Sequence, residues 1–97
     1  MSYREKWIKI INHFGIKNQM KKLSEETYEV QEAINEAKGY PIPSDVKEHI
    51  TEEIADVAVL LNQFIEFFNL DGNKIDQKIY EKTDRTIERI ESGYYDK

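Results

Sequence analysis

Cysteine is absent from the 97 residues, which excludes disulfides, thiolate metal centres, iron–sulfur clusters and thiol catalysis and fits a reducing compartment. The four glycines, Gly15, Gly39, Gly72 and Gly93, stand singly, so no glycine-rich phosphate loop is available. Proline is confined to Pro41 and Pro43, within the one strong breaker segment, residues 39–44. No apolar run approaches the roughly 18 residues that mark a membrane span, and the charged start Met1-Ser2-Tyr3-Arg4-Glu5-Lys6-Trp7 lacks the apolar core of a signal peptide. An intracellular, cytoplasmic protein with no membrane partner is expected. Positive charge is also in deficit: 14 Lys and Arg against 19 Asp and Glu leave a net charge of −5, which argues against general nucleic-acid binding.

What is present is helical periodicity. Tyr3, Trp7, Ile10, Ile11 and Phe14 recur at helical spacing before Gly15 interrupts them, giving a short first helix. A second is expected over about residues 16–38, with Ile16, Met20, Leu23, Thr27, Val30, Ile34 and Ala37 along one face. A third starts at Ser44 or Asp45, where Asp45-x-x-Glu48 resembles a capping box, and ends at Asp71-Gly72-Asn73. A fourth, capped by Asn73, runs to about Ser92 and stops at Gly93. The pattern predicts a single all-α domain over residues 1–97, a four-helix chain. Helix three carries Ile54, Val57, Leu61, Phe64 and Phe68 in one stripe, widened by Val59, Leu60, Ile65 and Phe67. A helix apolar on so many sides must be covered on as many, which a chain this short struggles to achieve alone. The bundle core is therefore expected to be completed by a second chain.

Two acidic clusters echo each other 27 positions apart, Ser24-Glu25-Glu26-Thr27-Tyr28-Glu29-Val30 and Thr51-Glu52-Glu53-Ile54-Ala55-Asp56-Val57. At about 100° per residue, Glu26 and Glu29 border the stripe of helix two as Glu53 and Asp56 border that of helix three. Measured from the turn, Glu29 and Glu53 fall at similar heights, as do Glu26 and Asp56, so the four carboxylates are expected at one edge of an antiparallel hairpin. Either cluster alone reads better as a solvated helix face, with Lys21/Glu25 and Lys22/Glu26 as i, i+4 pairs; the two in register bring the balance to even. Together they concentrate negative charge that calls for a cation. Oxygen ligands without His or Cys select Mg²⁺ or Mn²⁺ before Zn²⁺. Neither His13 nor His49 has a carboxylate three residues before it, which removes a ferritin-like di-iron site and leaves both histidines a surface or boundary role.

On helix four, Lys74, Lys78, Lys82, Arg85 and Arg89 form one basic stripe bordering the apolar Ile75, Ile79 and Ile90. Their stems can cover apolar surface. Beside a metal-binding cluster, their heads would suit the phosphate oxygens that the metal does not reach. No Ser or Thr stands in a nucleophile constellation, so any hydrolysis is expected to use metal-activated water.

The sequence resembles the MazG-type all-α nucleoside triphosphate pyrophosphatases. Their motif, Glu-Glu-x-x-Glu followed after a loop by Glu-x-x-Asp, reads here as Glu25-Glu26-Thr27-Tyr28-Glu29 and Glu53-Ile54-Ala55-Asp56, with similar flanking text from about Trp7 to Arg89. The resemblance implies that Glu26, Glu29, Glu53 and Asp56 bind Mg²⁺, for which Mn²⁺ can substitute, and that Glu25 orients or deprotonates the attacking water. It implies hydrolysis of a (d)NTP to the monophosphate and pyrophosphate, a nucleotide-pool housecleaning activity. Lys82, Arg85 and Arg89 would then hold phosphates. The base would meet the first helix and the start of the second, at Trp7, Phe14, Asn18 or Gln19. A homodimer or homotetramer is implied. The alternative is a non-catalytic helical homo-oligomeric interaction module, in which the carboxylates are solvated and the apolar third helix is only an interface.

Overall fold

The computed structural model describes residues 1–96, and among these the chain is all-α: α1 (Tyr3–Phe14), α2 (Ile16–Asn35), α3 (Ser44–Phe67) and α4 (Gly72–Glu91), with no strand. Local chemistry sets the boundaries. Ser2 opens α1 with a reciprocal capping box to Glu5. Gly15, at φ 90°, turns the chain between α1 and α2, a conformation that disfavours any side chain with a Cβ.

α2 ends at Asn35, three residues before the expected Lys38, and residues 36–43 form the turn. α3 begins directly after Pro43, with no side-chain cap, so the expected capping box at Asp45 is not formed. Proline suits this place because its fixed φ and missing N–H cost nothing just before the first turn. α3 closes in a Schellman motif: Asn69 takes the left-handed conformation at φ 53°, Leu70 N–H donates to Ile65 O at 2.8 Å and Asn69 N–H to Glu66 O at 3.1 Å. The helix thus ends before Asp71, whose carboxylate instead caps α4 by accepting from Asn73 and Lys74 N–H. Asp71 takes the role expected of Asn73, because the helix starts two positions earlier, at Gly72 rather than Lys74. Gly93, at φ 76°, ends α4 in the same motif as α3, with Tyr94 N–H donating to Arg89 O at 2.9 Å.

α1, α2 and α3 pack together, and α4 packs along none of them. The core is small: Ile11, Ala33 and Leu60 are its buried apolar side chains among the described residues. The radius of gyration is 17.0 Å, against about 13 Å for a compact chain of this length. The excess reflects α4, which buries none of its residues and holds Ile79, Tyr80, Ile87 and Ile90 in the open. The stripe of α3 behaves in the same way. Leu60 faces inward, whereas Ile54, Leu61 and Phe68 are 52%, 47% and 58% exposed. Along α2 and α3 the residues Thr27, Val30, Ile54, Val57, Ala58 and Leu61 line an apolar groove.

Candidate metal centre

The hairpin of α2 and α3 positions the acidic residues. Counted from the observed helix ends, Glu26 lies nine residues before the end of α2 and Glu53 nine after the start of α3, which sets these two level across the seam. Asp56, one turn on from Glu53, completes a group in which one carboxylate oxygen from each of Glu26, Glu53 and Asp56 lies within 4.8 Å of the others. Glu29 is outside this group and exposed, although its charge is felt at Glu26. The earlier end of α2 separates Glu29 from the height of Glu53.

Burial makes this more than a charged surface. Glu26 is only 9% exposed. Its Oε1 faces Lys22 Nζ at 3.4 Å, but its Oε2 is buried with no hydrogen-bond partner among the described residues. Glu53 repeats the arrangement: Oε1 is 3.4 Å from His49 Nε2, and Oε2 is buried without a partner. An orphaned carboxylate oxygen loses hydration without compensation. The pKa of Glu26 is accordingly raised, first by burial and then by the Glu29 charge, with Lys22 opposing. A hard divalent cation offered to these oxygens would supply the missing partner, so the residues present fit such an ion.

His49, expected at the surface or boundary, is partly exposed and bridges two helices: its Nδ1 lies 3.1 Å from Glu36 Oε1 at the end of α2 while Nε2 faces Glu53. Its pKa is raised, chiefly by Glu36. The His49/Glu53 spacing of four was the available signal for half of this bridge. The Glu36 half depends on the path of the turn.

Beside the carboxylates, a cavity of about 420 Å³ is lined by Ile10, Phe14, Gln19, Lys22, Glu26, Asp56, Val59, Leu60 and Gln63. Buried Gln19 and Gln63 meet in its wall, Gln19 Nε2 donating to Gln63 Oε1 at 2.8 Å. Gln63 escaped the sequence reading because a lone glutamine in an apolar helix carries no motif. Of the other residues considered for the base, Phe14 is in the same wall. Asn18 instead donates to Phe14 O at 2.7 Å, closing the end of α1, and Trp7 lines a separate cleft with Arg4, Glu66 and Asp71. Glu25 is exposed on α2. Lys82, Arg85 and Arg89 lie on the free helix α4, and the Arg89 guanidinium sits 4.8 Å above the Tyr94 ring. Within one chain, Lys22 is the basic side chain that shares the cavity with the carboxylates.

The family model described as MazG nucleotide pyrophosphohydrolase domain matches residues 14–92. The chain belongs to the MazG family. No curated protein and no solved structure matches it. The matched stretch contains α2, α3 and α4, hence all of the carboxylates above and the basic stripe. The MazG domain is all-α, as observed, and no helix among the described residues is long and apolar enough to cross a membrane.

Proposed function

We propose that this MazG domain is a divalent-cation-dependent hydrolase that converts a ribo- or deoxyribonucleoside triphosphate to the monophosphate and pyrophosphate, as a housecleaning activity of the cytoplasm. The observation that carries the proposal is the pair of orphaned oxygens, Glu26 Oε2 and Glu53 Oε2, buried where Asp56 also reaches. These three residues, joined by Glu29 from the next turn of α2, would hold Mg²⁺ or Mn²⁺. When bound, the ion neutralises charge on the phosphates and the leaving pyrophosphate and acidifies a water molecule. Glu25 would orient that water or take its proton. The water oxygen bonds to the α-phosphorus, the bond from that phosphorus to the bridging oxygen breaks, and pyrophosphate leaves.

The cavity next to the carboxylates suits the nucleoside: its volume lies within the range of about 300–1,000 Å³ typical of small-molecule sites. Its apolar walls, Ile10, Phe14, Val59 and Leu60, surround one amide pair, Gln19 and Gln63, that could read polar edges of a base. A triphosphate needs more positive charge than Lys22 provides. We place it on a second copy of the chain, whose α4 would bring Lys82, Arg85 and Arg89 to the site while the exposed Ile54, Leu61 and Ile87 become buried. A homodimer, or a tetramer of two such dimers, follows.

Glu53→Gln tests the reading. The change keeps the shape of the side chain, removes its charge, and should lower turnover at least a hundredfold while the helical circular dichroism is unchanged. Retained turnover would overturn the site assignment. A folded, oligomeric wild-type protein that hydrolyses no triphosphate would leave an interaction module as the better account.

A further inference from the structure

Glu53 is a flexible side chain asked to hold one oxygen at a fixed point, and the structure shows what constrains it. Its Oε1 faces His49 Nε2 at 3.4 Å, one helical turn earlier on α3, while the ring's Nδ1 lies 3.1 Å from Oε1 of Glu36, the residue that caps the C-terminal end of α2. Among the described residues this is the ion-paired link between the C-terminal end of α2 and α3. Tethered on one side, the Glu53 carboxylate keeps Oε2 turned inward, buried and unpartnered.

We propose that His49, anchored by Glu36, is a positioning residue that orients Glu53 for the divalent cation and ties the two halves of the carboxylate group together. The inference rests on the metal reading above. Partners that orient a metal ligand through its second atom commonly carry ten- to hundredfold of metal affinity. The sign of the effect separates this role from simple charge. Deleting a cation beside a cation site strengthens metal binding by Coulomb's law, whereas deleting an orienting partner weakens it.

The experiment is a titration of the full chain with Mn²⁺, followed by electron paramagnetic resonance at one fixed pH, for wild type, His49→Ala, His49→Gln, Glu36→Gln and the His49→Ala/Glu36→Gln double variant. His49 and Glu36 are both about half exposed, so these variants should fold. Affinity should fall about tenfold in His49→Ala, recover most of the loss in His49→Gln, which retains a donor, and be no weaker in the double variant than in His49→Ala. Equal or tighter binding by His49→Ala would overturn the proposal. A double variant weaker by the full Glu36→Gln increment would remove Glu36 as the anchor and overturn the linked arrangement. Absence of Mn²⁺ binding by wild type would instead overturn the metal reading itself.

Discussion

Replacing Glu26 by glutamine should make the metal-free protein more stable and the metal-loaded protein less so. In the metal-free state Glu26 is 9% exposed, has one oxygen buried without a partner, and feels the charges of Glu29 and Asp56. An unsatisfied buried polar group costs about 1–3 kcal/mol. The compensating contact to Lys22, at 3.4 Å and with the lysine half exposed, returns less than about 1 kcal/mol. Glutamine leaves a polar amide atom at the same place but removes the charge, so what is relieved is the desolvation of the carboxylate and its repulsion by Glu29 and Asp56; the gain should be about 1 kcal/mol, or roughly 4–8 °C in Tm for a domain of this size. With cation present the order reverses. A cation at about 100 times its Kd stabilises the wild type by about 2.7 kcal/mol, and the variant should lose most of that increment. The assay is thermal unfolding followed by circular dichroism at 222 nm, at one protein concentration, in EDTA and in excess Mg²⁺. A Glu26→Gln protein that melts below wild type in EDTA, yet gains as much as wild type from Mg²⁺, would refute the reasoning.

Other perturbations test other parts of the molecule. Lys82→Ala should raise KM for the triphosphate severalfold with little effect on Tm, since the Lys82 side chain is exposed; an unchanged KM would remove Lys82 from the site. Leu61→Lys, on the exposed apolar groove, should convert the oligomer to a monomer in sedimentation velocity and abolish turnover, and a variant that remains oligomeric would exclude this face as the interface. The raised pKa of His49 means that the folded state holds its proton more tightly than the unfolded chain. Its contribution to stability is thus full below about pH 6.5 and lost as pH rises through the higher folded-state value. Metal-free wild type should therefore lose more Tm than His49→Gln as pH rises above 6.5, and parallel curves would contradict the bridge.

The chemistry of the candidate site was more legible than its register. Glu26, Glu53 and Asp56 could be placed together because helical spacing fixes which side chains border an apolar stripe. The position of Glu29 depended on where α2 stops, and Asn35 rather than Lys38 ends it. No strong terminator marks that point, since Gly39 comes four residues later. Helix boundaries were readable where a residue has one conformational purpose, as with Gly15 and Gly93, and missed where Asn69 and Asp71 did work for which neighbouring residues were equally suited. The broad apolar surface of α3 was visible in the sequence, but periodicity cannot say which part faces α1 and α2. The structure turns Leu60 inward and leaves Leu61 out. Gln19 was within reach of sequence reasoning and Gln63 was not, because their meeting is a property of packing between helices.

The central claim is that a cation held by these carboxylates supports cleavage of a nucleoside triphosphate. It is tested most directly by measuring pyrophosphate release from a panel of ribo- and deoxyribonucleoside triphosphates in Mg²⁺, with each reaction repeated in EDTA. The account predicts release of pyrophosphate and monophosphate from at least one substrate, abolished by EDTA. Release that persists in EDTA, or no release from any substrate by folded, oligomeric protein, would contradict it.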